Sequence, residues 1–189
     1  MKLVRMRLAL MQPILEDPEI NDKLQVIYLV RDPRAVINSR RSTVGWCKET
    51  SSDCYLPETL CQDMEDDLQS ARKLQQLFPG KVHILRYEDM AGDPFNQTEK
   101  LLNTLGLDYH HNMKAFLEQH TTQEIDRPWT TSRDSKKRLM YWTEKFSWPG
   151  VDEVQQVCAS AMSSHGYKLV TTLQNLTLND VLSPFVESL

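Results

Sequence analysis

Apolar and polar positions along this chain follow two different spacings that alternate with each other. An uninterrupted apolar run, Val26–Val30, predicts a buried strand within residues 23–30. Apolar residues then recur every three or four positions over residues 57–78, which predicts an amphipathic helix. A second apolar stretch predicts a strand over residues 81–87. Because strands that alternate with helices form parallel sheets, the pattern predicts an α/β fold with a short parallel sheet flanked by helices.

The other elements predicted from the same periodicity are helical, and the chain becomes polar near its end. Helices are expected at residues 33–41, 94–105, 111–120, 136–145 and 151–164. The sequence after Val170 turns polar, so we expect a loosely ordered tail. We therefore expect one domain over residues 1–170 and a polar C-terminal tail over residues 171–189.

Charge limits the classes of ligand that the 189-residue chain can bind. Its net charge is −4, which argues against a general nucleic-acid-binding protein. An anionic ligand would have to be held by local basic clusters. Two such clusters are Arg31, Arg34, Arg40 and Arg41, and Arg133, Lys136, Lys137 and Arg138. The alternative to anion binding by the second cluster is that its side chains form a solvated face of a helix. No apolar run approaches the roughly 20 residues that a membrane-spanning helix needs.

The cysteines and sequons bear on the compartment of the protein. The chain has four cysteines, which are Cys47, Cys54, Cys61 and Cys158. An even number suits disulfides in an oxidising compartment, with all three pairings open, and buried free thiols are the alternative. None of them has zinc-ligand spacing, so we expect no metal site. Asn96 and Asn175 begin N-glycosylation sequons, which would be used if the chain reaches a secretory lumen.

The turn after the first predicted strand carries candidate binding chemistry. Arg31 follows the strand directly, Asp32 can cap the next helix, and Pro33 suits the first helical position. Ligands of α/β proteins bind at this edge of the sheet, and the planar guanidinium of Arg31 matches a phosphate group. Ser39 adds a hydroxyl two turns further on. Physical reasoning alone leaves two alternatives here, a phosphate site and an ordinary strand–turn–helix with a solvated arginine.

Residues 31–40, RDPRAVINSR, resemble the 3′-phosphate-binding element of carbohydrate sulfotransferases. These Golgi enzymes transfer sulfate from 3′-phosphoadenosine 5′-phosphosulfate (PAPS) to sugar hydroxyls. The resemblance continues in the same order along the chain. The further similar segments are residues 85–94, 131–135 with 141–142, and 154–167. The similarity is greatest to the branch that sulfates the 6-O position of N-acetylglucosamine or galactose.

The resemblance implies specific site residues and partners. Arg31 and Ser39 correspond to the residues that hold the 3′-phosphate, and Tyr87 to a tyrosine that approaches the adenine. For Tyr87, a structural role in capping the core is the alternative. With the basic residues nearby, the expected cofactor-binding residues are Arg31, Arg34, Ser39, Tyr87 and Arg133. The implied acceptor is a glycan on a glycoprotein or glycosaminoglycan in the Golgi lumen, without a metal. Trp129 and Trp142 are candidates for stacking on a sugar ring, with buried packing as the alternative.

One element of the family has no counterpart in this sequence. The 5′-phosphosulfate loop, of the RSGSS type, belongs to an earlier strand–loop–helix unit, and its backbone N–H groups cradle the phosphosulfate. The resemblance therefore implies a truncated P-loop-like sulfotransferase fold, with this chain as a catalytically incomplete C-terminal part and no assignable catalytic base. The alternative is a non-catalytic relative that binds 3′,5′-ADP or a full-length partner.

Overall fold

The computed structural model describes residues 3, 6–125, 130 and 132–189. The described chain opens with a 3₁₀ turn, Leu8–Met11. Its strands are β1 (Val26–Val30) and β2 (Val82–Arg86). Its helices are α1 (Gln12–Glu16), α2 (Pro18–Asn21), α3 (Pro33–Thr43), α4 (Ser52–Tyr55), α5 (Pro57–Leu77), α6 (Tyr87–Gly92), α7 (Pro94–Thr104), α8 (His111–Thr121), α9 (Ser135–Leu139), α10 (Tyr141–Lys145), α11 (Trp148–Ser164) and α12 (Leu178–Val181).

The two strands pair in parallel, with Val26 opposite Val82 and Val30 opposite Arg86. The connection from β1 to β2 runs through α3, α4 and α5, which is the crossover that a parallel pair requires. The prediction of an α/β fold with a short parallel sheet flanked by helices is therefore confirmed. The carboxyl ends of both strands lie at the same edge of the sheet.

One face of β1 is more exposed than its apolar sequence predicts. Val26 and Val30 are buried, whereas Ile27 and Leu29 are 41% and 53% exposed. Within the described residues β1 pairs only with β2, and the helices that form the core cover only the face that carries Val26 and Val30. All five residues of β2 are buried, including the polar His83 and Arg86.

The main core lies between the sheet and two long helices. Helix α5 is predicted at residues 57–78 and spans Pro57–Leu77, and its apolar stripe packs against α11 and the strands. The stripe residues in this cluster are Leu60, Met64, Leu68, Ala71 and Leu74, and those of α11 are Val154, Cys158, Ala161 and Met162. The helix predicted at residues 136–145 is divided into α9 and α10, because Met140 departs from helical geometry between them.

Two disulfides join these elements. Cys61 of α5 bonds to Cys158 of α11, which are 97 positions apart, and Cys47 bonds to Cys54, seven positions apart. The structure thus selects disulfides over free thiols and fixes one of the three pairings. The first bond links the two helices that cover the sheet, and the second closes a short loop after α3.

The tail after Val170 is packed against the core, so the expectation of a loosely ordered tail is wrong. Val181 and Phe185 are buried, and the N–H of Leu189 donates to the carbonyl of Ile84 in β2, at 2.9 Å. Arg86 donates to the carbonyls of Gly166 and Ser183, at 3.0 and 2.8 Å. The apolar residues of the tail are irregularly spaced and bind by separate contacts, which a periodicity search does not detect. Among the described residues, no helix is long and apolar enough to cross a membrane.

Candidate functional site

The turn between β1 and α3 forms as its sequence predicts. The Oδ1 atom of Asp32 accepts a hydrogen bond from the N–H of Arg34, at 2.9 Å, and Pro33 occupies the first helical position. This cap fixes the start of α3 directly after the strand. Arg31 is consequently held at the carboxyl edge of the sheet, where α/β proteins bind their ligands.

The guanidinium of Arg31 lies over the ring of Tyr87, 4.5 Å from the ring centroid. Tyr87 is the first residue of α6, directly after β2, so the two strand ends bring this pair together. The Nε atom of Arg31 is buried and has no hydrogen-bond partner among the described residues. A buried donor without a partner is unfavourable, which makes this position suited to an anion that accepts its hydrogen bond.

Ser39 lies two turns along α3 and is partly exposed. A helix rises about 1.5 Å per residue, so Ser39 is roughly 9 Å along the axis from the capped end of α3. The contact between Ser39 and a ligand remains a prediction.

Arg34 occupies a different environment from the one its sequence motif suggests. Its side chain is fully buried and forms an ion pair with Asp32, at 2.7 Å. It also donates to Gln155 Oε1 and to the carbonyl of Lys168, both at 3.0 Å. Its guanidinium lies 4.4 Å from the ring centroid of Trp142, which is itself buried. Because these groups surround Arg34 in the interior, we remove it from the expected cofactor-binding residues and assign it to the support of the turn.

In the second basic cluster, Arg133 and Arg138 share one acidic partner, Glu124. Arg133 forms an ion pair with Glu124, at 3.6 Å, and its N–H donates to the carbonyl of His120. Arg138 pairs with the same Glu124. These contacts tie Arg133 to the end of α8, and its role toward the cofactor stays a prediction. Trp129 and Thr131 lie outside the described residues.

Glu88 is a second buried carboxylate at this edge of the sheet, beside Asp32. Its Oε1 atom accepts a hydrogen bond from the N–H of Asp32, at 3.1 Å, and its Oε2 atom accepts one from the hydroxyl of Tyr167, at 2.7 Å. Burial of the carboxyl group, followed by the charge of Asp32, raises the pKa of Glu88 from 4.5 to about 7. Burial and the charge of Glu88 also raise the pKa of Tyr167.

The raised pKa of Glu88 predicts how stability changes with pH. Between pH 4.5 and about 7, Glu88 is protonated in the folded protein and ionised in the unfolded chain. The stability that protonated Glu88 contributes is therefore complete below about pH 4.5 and is lost as the pH rises through about 7. At about pH 8, Glu88→Gln should therefore raise the free energy of unfolding by about 1–3 kcal/mol relative to wild type. Urea denaturation of both proteins at several pH values measures this difference. A constant difference across the range would contradict the prediction.

Sequence comparisons show which known proteins this chain resembles. A sequence model described as the sulfotransferase family matches residues 21–111. Carbohydrate sulfotransferase 1 of Danio rerio is 29% identical over 182 residues, covering 88% of this chain and 43% of the relative. Carbohydrate sulfotransferase 4 of Mus musculus is 29% identical over 197 residues, covering 93% and 50%. Carbohydrate sulfotransferase 3 of Rattus norvegicus is 28% identical over 195 residues, covering 94% and 40%.

The chain is similar to the sulfotransferase family over residues 21–111, and over most of its length to carbohydrate sulfotransferases. It spans half or less of the length of these curated relatives. The region matched by the family model contains Arg31, Ser39, Tyr87 and Glu88, whereas Arg133 lies beyond it. The matched region thus includes both strand ends that form the candidate site.

Proposed function

We propose that this chain holds the 3′-phosphoadenosine end of PAPS, the donor in a carbohydrate sulfotransfer reaction. The observation that carries the proposal is the buried Nε atom of Arg31, without a partner among the described residues, at the carboxyl edge of the sheet. Arg31 would donate to the 3′-phosphate, and Ser39 would add a hydroxyl. Tyr87 would fix the guanidinium by its ring contact and lie near the adenine.

The proposed reaction transfers a sulfuryl group to a sugar hydroxyl, at the 6-O position of N-acetylglucosamine or galactose. The acceptor oxygen forms a bond to sulfur while the bond from sulfur to the 5′-phosphate oxygen breaks. The hydroxyl proton passes to a general base, and 3′,5′-ADP leaves. The residues of this chain would bind and orient the nucleotide. The proposed acceptors are the glycans of glycoproteins or glycosaminoglycans.

We also propose that the protein works in the Golgi lumen. The two disulfides favour an oxidising compartment over the cytosol. Carbohydrate acceptors are indicated by the names of the relatives, which are carbohydrate sulfotransferases.

Nucleotide binding by an Arg31→Ala variant tests the site. The variant should lose at least tenfold in affinity for 3′,5′-ADP, since it removes a charge-assisted contact to phosphate. Its remaining affinity should fall toward that of the wild type for 5′-AMP, which has no 3′-phosphate. Isothermal titration calorimetry measures both. Arg72→Ala is the matched control, because Arg72 of α5 is exposed and pairs with Glu187 in the tail, and it should bind like wild type.

Two results would overturn the assignment. One is an Arg31→Ala variant that retains wild-type affinity for 3′,5′-ADP. The other is a wild-type protein that binds 5′-AMP as tightly as 3′,5′-ADP, because the 3′-phosphate would then contribute nothing.

A second candidate function is a non-catalytic member of the family that binds 3′,5′-ADP without transferring sulfate. The contact between Arg31 and Tyr87 concerns nucleotide binding and is common to both functions. An assay with PAPS and an oligosaccharide that ends in N-acetylglucosamine separates the two functions. Sulfated product supports the transferase, and binding of 3′,5′-ADP without product supports the second candidate.

A further inference from the structure

The carboxylate of Glu88 connects three parts of the chain that meet behind Arg31. Glu88 belongs to α6, its Oε1 atom binds the N–H of Asp32 in the β1–α3 turn, and its Oε2 atom binds the hydroxyl of Tyr167 after α11. Asp32 directly follows Arg31, so this hydrogen bond fixes the peptide that carries the guanidinium. Tyr87, whose ring lies under Arg31, directly precedes Glu88.

The charged groups around Glu88 are largely neutralised by each other. From the β1–α3 turn, Asp32 forms an ion pair with Arg34. From the end of β2, Arg86 forms an ion pair with Asp89, at 2.7 Å. From the segment after α11, Tyr167 presents its hydroxyl. No described ion pair neutralises Glu88, so an ionised Glu88 places an unbalanced negative charge beside the turn that bears Arg31.

We propose that Glu88 is a positioning residue for the phosphate site, whose hydrogen bond fixes the Arg31 turn and whose charge weakens anion binding at Arg31. The inference rests on the proposed function, since it assigns Glu88 a part in the same nucleotide site. Protonation of Glu88 retains an acceptor for the N–H of Asp32 and removes the negative charge. The site should therefore bind an anion more tightly when Glu88 is neutral.

The raised pKa of Glu88, about 7, places this change near neutral pH. A carboxylate and a phosphate held by adjacent peptides interact appreciably at the effective dielectric constant of a partly buried site. We expect loss of the charge to raise the affinity for 3′,5′-ADP about fivefold. Because binding and protonation are linked, a bound anion should in turn raise the pKa of Glu88 further.

The test compares Glu88→Gln with wild type in 3′,5′-ADP binding by calorimetry, at about pH 6 and about pH 8. The amide side chain would keep an oxygen acceptor and carry no charge, so the ratio of variant to wild-type affinity should be near one at the lower pH and about five at the higher. The phosphate of the ligand titrates at about pH 6, but this cancels in the ratio. Asp93→Asn is the matched control, since it removes an exposed carboxylate five positions away and retains a capping oxygen, and its ratio should not depend on pH.

If the ratio of Glu88→Gln to wild-type affinity is the same at both pH values, the charge of Glu88 does not affect binding. A purely structural role for Glu88 would give this result, because the hydrogen-bond acceptor is present in both proteins at both pH values. Glu88→Ala removes the acceptor as well and should bind 3′,5′-ADP about tenfold more weakly than Glu88→Gln at both pH values. Should that variant fail to fold, Glu88→Gln still decides the question.

Hydrogen exchange of the Asp32 amide tests the positioning hydrogen bond without any ligand. The amide should be protected in wild type and in Glu88→Gln, and exchange at least tenfold faster in Glu88→Ala. Equal protection in all folded variants would overturn the positioning role. A wild-type protein that does not bind 3′,5′-ADP but shows this exchange pattern would instead refute the proposed function and leave the hydrogen bond established.

Discussion

Loss of the Cys61–Cys158 disulfide is expected to lower the free energy of unfolding by about 4–5 kcal/mol. The bond closes a loop of 97 positions, so it removes a large conformational freedom from the unfolded chain. It also joins α5 to α11, the helices that together cover the buried face of the sheet. A stability of about 5–15 kcal/mol is ordinary for a domain, so this loss is a large part of the total.

Urea denaturation of a Cys61→Ala, Cys158→Ala double variant measures the effect. The matched control is Cys47→Ala, Cys54→Ala, which removes a bond that closes only seven positions and should lose about 2 kcal/mol. The Cys61→Ala, Cys158→Ala variant keeps the Cys47–Cys54 bond, so reductant should lower its free energy of unfolding only by about 2 kcal/mol more. Two results would contradict the Cys61–Cys158 pairing. One is a double variant at these positions that is as stable as wild type, and the other is a double variant that reductant destabilises as much as it destabilises wild type.

Local sequence patterns predict those elements whose contacts are local or periodic. The apolar stripe of α5 repeats over several turns, and its predicted limits differ from the observed ones by a single residue. The cap of α3 depends only on Asp32 and Pro33, two neighbouring residues of the kinds that begin helices. The approach of Arg31 to Tyr87 could be expected because both residues follow parallel strands, whose carboxyl ends share an edge.

Long-range contacts account for most of what the sequence did not predict. The partner of Arg34 on α11, Gln155, is 121 positions away, so no local pattern indicates that this arginine is buried. The tail joins β2 through single hydrogen bonds and a few apolar contacts, without periodicity. The donor to Glu88, the N–H of Asp32, is 56 positions away, so this hydrogen bond also becomes visible only in the fold.

Replacement of Arg34 by methionine is expected to lower the free energy of unfolding by about 3–5 kcal/mol. Methionine fills part of the same volume and removes the charge. Asp32, which is only 2% exposed, would then be a buried carboxylate without its ion-pair partner, and Gln155 would lose a donor. The ring of Trp142 would also lose its contact with the guanidinium. A buried charge without a partner is far less favourable than the pair it came from.

A second substitution separates the charge effect from lost packing. Asp32→Asn retains an oxygen to cap α3 and removes the unbalanced charge, so the Asp32→Asn, Arg34→Met double variant should recover about 1–3 kcal/mol of the loss. Arg72→Met is the control for removal of a solvent-exposed ion pair and should cost less than about 1 kcal/mol. Urea denaturation measures all three. If Arg34→Met loses no more than Arg72→Met, then Arg34 does not support the turn, and its guanidinium returns to the set of candidates for binding the nucleotide.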